Sequence, residues 1–297
     1  MKELPAPALP DWLHRQLPFR RYRVEVEPGI AMHVMEQGSG RPVVLFHGNP
    51  TWGYLYRKVA AELEGEPFRL IMPDLVGLGM SDRPATATEH TFANHARWMA
   101  SLLAQLQLED VIAVGQDWGG PIGVHAMSRN PGLMTGLILM NTSITPPRPG
   151  FKPTSFHRFF STPLGSFATR YLGLPQRALR LAQGDRSSIT GEVSRAYSFP
   201  LTRARGNDAV WALVRMVPDS MGHPSVPLLG ETGEFVASFS GPAAIVWGTK
   251  DPVLGRLMRR HHRLLPDAFV TETDAGHFLQ EEVPADIAQA IRAVAAG

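Results

Sequence analysis

Gly115-Gln116-Asp117-Trp118-Gly119-Gly120 decides how the rest of this chain reads. It follows the apolar run Val111-Ile112-Ala113-Val114 and precedes a helix-like stretch from Pro121. Small residues flanking a polar one, between a strand and a helix, allow a sharp turn that presents the central side chain at the end of a sheet. Here that side chain is an aspartate. A carboxylate is ionised at neutral pH and needs no base to become a nucleophile. It attacks a saturated carbon bearing a leaving group, or an epoxide, and becomes an ester. Asp117 also reads as an ordinary cap of the next helix, but the glycines at 115, 119 and 120 favour the strained turn.

Outward from this turn the chain alternates. Residues 22–27 and 30–36 flank Pro28-Gly29 as a hairpin. Val43-Val44-Leu45-Phe46 is a continuous apolar run of the kind found in strands buried on both faces. A helix is predicted over 53–63, a strand over 69–72 and an amphipathic helix over 91–106. Strand 111–116, helix 118–130 and strand 136–140 follow. The rhythm breaks from 144 to 228, a section rich in Arg, Phe and Pro with no strand pattern. It resumes with strand 243–247, helix 253–264, strand 268–273 and helix 284–295. Strand–helix alternation implies an α/β fold with a mostly parallel sheet flanked by helices. The expected organisation is a core built from 1–143 and 229–297, with a helical lid inserted over 144–228.

Composition excludes several function classes. The 297 residues include no Cys, which removes disulfides, thiolate catalysis and Cys-based metal sites. Net charge is +2, although residues 141–220 carry an excess of Arg and Lys. Those positives are scattered, which reads as a solvated surface, and no stripe suggests nucleic acid. The proline-rich start lacks the apolar region of a secretory signal, and no window is long and apolar enough to span a membrane. A cytoplasmic protein that binds neither nucleic acid nor membrane is the expectation.

Four further positions complete a reaction centre. His277, in Asp274-Ala275-Gly276-His277-Phe278, follows the last strand, where a neutral imidazole can take a proton from the water that cleaves the ester. Asp251, in Trp247-Gly248-Thr249-Lys250-Asp251-Pro252, can orient that imidazole; it also suits a helix cap ahead of proline. The competing acid position, at the end of the preceding strand, holds Asn141, which carries no charge. The backbone N–H groups of Trp118 and of the 47–50 loop suit an oxyanion, and the Trp118 indole and Asn49 amide are donors that can hold a departing halide. The bland alternatives are packing for Trp118 and a turn before proline for Asn49. His47 reads as structural, and His261 and His262 as surface residues of a helix.

Together these residues resemble the haloalkane dehalogenases of the α/β-hydrolase superfamily, from about residue 30 onward. The matching stretches are Phe46-His47-Gly48-Asn49-Pro50-Thr51-Trp52, Pro73-Asp74-Leu75-Val76-Gly77-Leu78-Gly79-Met80-Ser81-Asp82, the Asp117 turn, the Asp251 loop and Gly276-His277-Phe278-Leu279-Gln280-Glu281. The first two are shared by many α/β-hydrolases. Asp117-Trp118 is shared with epoxide hydrolases, and its combination with Asn49 is the most dehalogenase-like feature. The resemblance implies hydrolysis of a small apolar halogenated substrate to an alcohol, halide and a proton. In it Asp117 is nucleophile, His277 base and Asp251 acid, Asn49 and Trp118 hold the halide, and no cofactor or metal takes part. Of the two acid placements known in the family, Asn141 with Asp251 matches the one after the later strand.

Leu254 and Phe278 adjoin the acid and base loops and are expected to line the pocket, with Trp211 from the lid. Phe151, Phe156, Phe159, Phe160, Phe167 and Met216 are further candidates for the lid wall. The rival reading is an epoxide hydrolase, which needs lid tyrosines to protonate the opening ring; the lid offers Tyr171 and Tyr197. A haloacetate dehalogenase, a cofactor-independent oxygenase and a catalytically silent binding protein share the scaffold. Substrate size, preferred halogen and oligomeric state are not legible.

Overall fold

The structure is a computed structural model and describes residues 1–148, 150–151, 154–202 and 207–297. Its centre is a nine-stranded sheet: β1 (Glu3–Pro5), β2 (Arg20–Glu27), β3 (Ile30–Gln37), β4 (Arg41–Phe46), β5 (Phe68–Pro73), β6 (Val111–Asp117), β7 (Met134–Thr142), β8 (Ala243–Gly248) and β9 (Phe269–Thr273). The order is β1-β2-β3-β5-β4-β6-β7-β8-β9. The first strands pair antiparallel, and β5-β4-β6-β7-β8-β9 run parallel. Strands β4, β6 and β8 read as unbroken apolar runs because helices cover both faces; Val43, Val44, Val114 and Val246 are fully buried.

Helix Phe92–Leu106 shows how the pattern becomes packing. Thr91 caps it by accepting from the Asn94 N–H at 3.1 Å, and Gln107 ends it in the left-handed conformation. Its buried positions Phe92, His95, Ala96, Met99, Leu102, Leu103 and Leu106 recur at three and four residues and face the sheet with helix Gly119–Ser128. Helices Arg57–Glu62 and Pro284–Ala296 cover the opposite face. The short edge strand β1 lacks an apolar pattern and escaped the sequence reading.

Between β7 and β8 the described residues form helices and turns only: Ser155–Phe160, Pro163–Leu172, Leu174–Arg177, Gly191–Ser198 and Asp208–Arg215. The next helix, Val226–Ala237, crosses the expected boundary at 228. It packs back on the core, with Thr232 Oγ1 3.3 Å from His125 Nδ1. The lid is tied down by polar contacts as well as packing. Trp52 Nε1 donates to Ala196 O at 3.1 Å, Arg83 to Pro200 O at 2.7 Å, and Tyr197 Oη to buried Glu281 at 2.5 Å.

His261 corrects the surface assignment. It is fully buried against the Trp247 indole, 5.1 Å between ring centres, and donates to Leu257 O. Burial lowers its pKa to about 4, so it stays neutral. The helix that carries it is amphipathic in the other register: Arg259 and His262 take the solvent side.

Candidate active site

The parallel strands end together, and the loops beyond those ends converge, as open α/β sheets require of a ligand site. Asp117 closes β6 with φ +49°, in the left-handed region that costs a non-glycine residue about 1–2 kcal/mol. Two close approaches hold it there. A Cβ on Gly119 would lie 2.2 Å from Phe46 O, and one on Gly48 2.3 Å from Asp117 Oδ1, so only glycine lets strand, helix and loop meet. Thr142 Oγ1 donates to the Asp117 carbonyl at 2.7 Å.

The two carboxylate oxygens of Asp117 face different partners. Oδ1 accepts the Asn49 backbone N–H at 2.7 Å. Oδ2 lies 3.6 Å from His277 Nε2. His47 is fully buried, accepts the Leu75 N–H at Nε2 (2.9 Å) and donates from Nδ1 to Gly48 O, fixing the loop that presents the Asn49 N–H.

His277 Nδ1 is 2.7 Å from Asp251 Oδ2. This contact places a hydrogen on Nδ1 and leaves Nε2 facing Asp117. Burial pulls the imidazolium down, but Asp251 and Asp117 on either side outweigh it and push its pKa up to about 10. Burial would raise the Asp251 carboxyl. His277, the Asn141 amide and the Val253 N–H at 2.7 Å outweigh burial and hold Asp251 below the usual carboxylate range.

Asn141 has a part the sequence reading missed. Its Nδ2 donates to Asp251 Oδ2 at 2.8 Å and to Gly248 O at 2.9 Å, and its Oδ1 accepts the Gly248 N–H at 2.7 Å. The position rejected as an acid instead clamps Asp251. Its place at the end of β7, beside β8, was the available signal. His157, from the lid, was also missed. It faces the carboxylate and the imidazole, and its Nδ1 is 2.8 Å from Thr154 Oγ1. Burial keeps its pKa below the ordinary value.

Two cavity lobes meet at Asp117 and Trp118. An apolar lobe of about 540 Å³ contains Asn49, Asp117, Trp118 and His277, walled by Phe159, Phe160 and Phe278 among others. A second lobe of about 680 Å³ opens past Thr145, His157 and Leu254, with Phe151 on its wall. Trp118 Nε1 makes no hydrogen bond to any described residue, although the side chain is buried against Phe92. Asn49 Nδ2 spends one hydrogen on Val210 O at 3.1 Å, on lid helix Asp208–Arg215, and keeps a second.

Several lid positions lie elsewhere. Trp211 lines neither lobe; its indole N–H bonds Ser166 Oγ at 2.9 Å, and Arg170 and Arg215 stack on its ring. It sits on the outer side of its helix, whose buried side carries Val210, Leu213 and Val214. Phe167 stacks on Tyr171 at the surface, and Met216 belongs to the core beneath the lid. The Phe156 side chain falls outside the described residues. Neither lid tyrosine reaches the carboxylate: Tyr171 is 70 % exposed, and Tyr197 is fully buried on Glu281.

Comparison with known proteins places this arrangement. The model of the α/β-hydrolase fold matches residues 41–284. A haloalkane dehalogenase of Mycobacterium marinum is 30% identical over 92% of this chain and 93% of its own. Another, from Mycolicibacterium paratuberculosis, is 29% identical over 88% and 86%. Among solved structures, a single-residue variant of the haloalkane dehalogenase DatA from Agrobacterium tumefaciens C58 superposes with a TM-score of 0.82 at 25% identity, over 93% of this chain and 96% of that one. DpaA from Paraglaciecola agarilytica NO2, described as tetrameric, gives 0.78 at 24% identity over 100% and 99%. Fold and loop architecture are those of an α/β-hydrolase. Within that class, the chain belongs to the haloalkane dehalogenase family.

Proposed function

We propose that the protein hydrolyses carbon–halogen bonds through an alkyl ester on Asp117. The observation that carries this reading is the placement of Asp117, with Oδ2 3.6 Å from His277 Nε2, on an apolar lobe whose lining includes two side-chain donors, Trp118 and Asn49. Oδ2 attacks the carbon from the side opposite the halogen, the C–O bond forms as the carbon–halogen bond breaks, and the halide takes the negative charge. Trp118 Nε1–H and the spare Asn49 Nδ2–H stabilise that charge where it develops, in apolar surroundings that strengthen both contacts.

Esterification removes the Asp117 charge. That charge is one of the supports of the His277 proton, so its loss lowers the proton affinity of Nε2. The neutral imidazole then takes a proton from water as the water oxygen adds to Asp117 Cγ, and Asp251 stabilises the imidazolium. Oδ1, already on the Asn49 N–H, carries the oxyanion. Collapse expels the alcohol, which receives the His277 proton, and leaves the Asp117 carboxyl with one oxygen from water; loss of its remaining proton to solvent restores the carboxylate. The same chemistry opens epoxides only with an acid at the ring oxygen, and the lid tyrosines stand away from the lobe.

The test is His277→Phe incubated with 1,2-dibromoethane and, separately, styrene oxide, followed by mass measurement. A bromoethyl adduct on Asp117 is expected. An adduct from the epoxide alone overturns the reading, and no adduct from either points to a different substrate class or a binding protein.

A further inference from the structure

The second lobe differs in character from the first. Its lining includes Arg148, Arg256, Arg259, Arg260 and Arg263, and among the described residues the only carboxylate on it is Asp117 at the floor. Four of these arginines follow one spacing, i, i+3, i+4 and i+7, so the turn Gly255–Leu257 and helix Met258–Leu264 present them along one face. Arg148 joins them from the start of the lid. None of the five forms an ion pair among the described residues, although the molecule pairs many of its other arginines. Arg260 is half-buried, donates to Pro146 O and faces Arg148 and Arg263 with no compensating charge among the described residues. Thr145, 9 % exposed, lines the same lobe, and its buried hydroxyl has no hydrogen-bond partner among the described residues.

Like charges collected around a cavity repel one another and destabilise the fold unless a ligand neutralises them. The halide alone does not fit this need. It is a small sphere generated beside Trp118, whereas a lobe of about 680 Å³ admits a molecule. Guanidinium forks match planar oxyanions such as carboxylates bidentately. We propose, resting on the dehalogenase reading above, that the arginine-lined lobe binds the anionic head of a carboxylate-bearing haloalkane. The halogenated end lies at the junction of the lobes, its departing halide toward Trp118 and Asn49. Thr145 donates to the same head group, and the apolar lobe takes any remaining hydrocarbon. The scattered excess of positive charge in the lid then extends the field that draws the anion in.

The experiment compares 6-bromohexanoate with 1-bromohexane, of equal chain length, by bromide release from the intact protein. The kcat/KM ratio, carboxylate over neutral, is expected to exceed one and to fall on the order of tenfold between low and high salt as the field is screened. In Arg256→Gln/Arg259→Gln, whose side chains are exposed, and in Arg260→Gln/Arg263→Gln, the ratio falls about tenfold through the KM for the carboxylate. Because Arg260 also holds the Pro146 carbonyl, the first pair keeps the test independent of folding. Bromide from 1-bromohexane at an equal or higher kcat/KM overturns this inference and leaves the dehalogenase reading standing. An equal effect of the arginine substitutions on both substrates overturns it in favour of a halide exit. Bromide from neither compound overturns both.

Discussion

Replacing Asn141 with alanine separates the two chemical steps. The side chain is fully buried and makes three hydrogen bonds, to Asp251 Oδ2 and to both backbone groups of Gly248. Removing it strands the Gly248 N–H and takes one of two partners from Asp251 Oδ2, which keeps His277, and from Gly248 O, which keeps the Asp251 N–H, at about 1–3 kcal/mol for a buried group that loses its partner. The space vacated admits a water that recovers part of this. The net loss of stability is about 2–3 kcal/mol, which for a chain of this size lowers Tm by roughly 3–5 °C. The kinetic effect is confined to hydrolysis. Asp117 and its Asn49 N–H are untouched, so the first-turnover burst of bromide from 1,2-dibromoethane keeps its rate. Asp251 loses one of the donors that aim it at His277, and cleavage of the ester slows about tenfold, equivalent to about 1.4 kcal/mol of barrier. Rapid-quench bromide measurement with protein mass spectrometry reads both steps, and the ester should accumulate. Asn141→Asp preserves volume but sets a second carboxylate against Asp251. The two then share a proton, and hydrolysis falls at least as far. A slowed burst with unchanged ester cleavage, or a lower Tm with neither step altered, refutes the reasoning.

Trp118→Phe removes the indole donor while keeping an aromatic ring against Phe92; the bromide burst slows about 100-fold, as when one preorganised donor is lost, and an unchanged burst would remove Trp118 from the halide site. Tyr197→Phe strands buried Glu281 of one hydrogen bond and costs about 2 kcal/mol in urea unfolding, while bromide release stays within about twofold; a large loss of turnover would place Tyr197 in the chemistry. The pKa of His277 is raised from the ordinary 6.5 to about 10, so its pairing stabilises the fold fully below pH 6.5 and is lost as pH rises through about 10. Asp117→Asn removes one of the causes, so its Tm should fall less than that of the wild type between pH 7 and pH 10; a steeper fall in the variant contradicts the assignment.

Much of the site is legible because each member follows a strand. Asp117 is the last residue of β6, and Asp251 and His277 sit in short loops after β8 and β9, where the end of an apolar run marks a side chain facing the crevice. Glycines at 48 and 119 mark where backbones touch. The lid was less legible. Its short helices carry Phe, Tyr, Trp and Arg on every side, and no local pattern tells which side meets the core. Trp211 therefore read as a pocket residue and Tyr197 as a candidate acid of the epoxide-hydrolase reading, yet Trp211 stacks with arginines outside and Tyr197 bonds Glu281 84 positions away. His261 misled for a related reason: a histidine in a basic helix looks solvated until Trp247 is set beside it.

The amino-acid sequence by itself determined the α/β alternation, the turn that carries Asp117, the loops that carry His277 and Asp251, and the donors Trp118 and Asn49 beside them, because these depend on periodicity and on residues adjacent to strand ends. Only the tertiary structure decided that Asn141 clamps Asp251, that His157 enters the site, that the lid tyrosines stay out of it and that arginines from two distant segments ring one cavity. Those facts are set by contacts between residues far apart in the chain, and side-chain direction there depends on how the lid packs on the sheet.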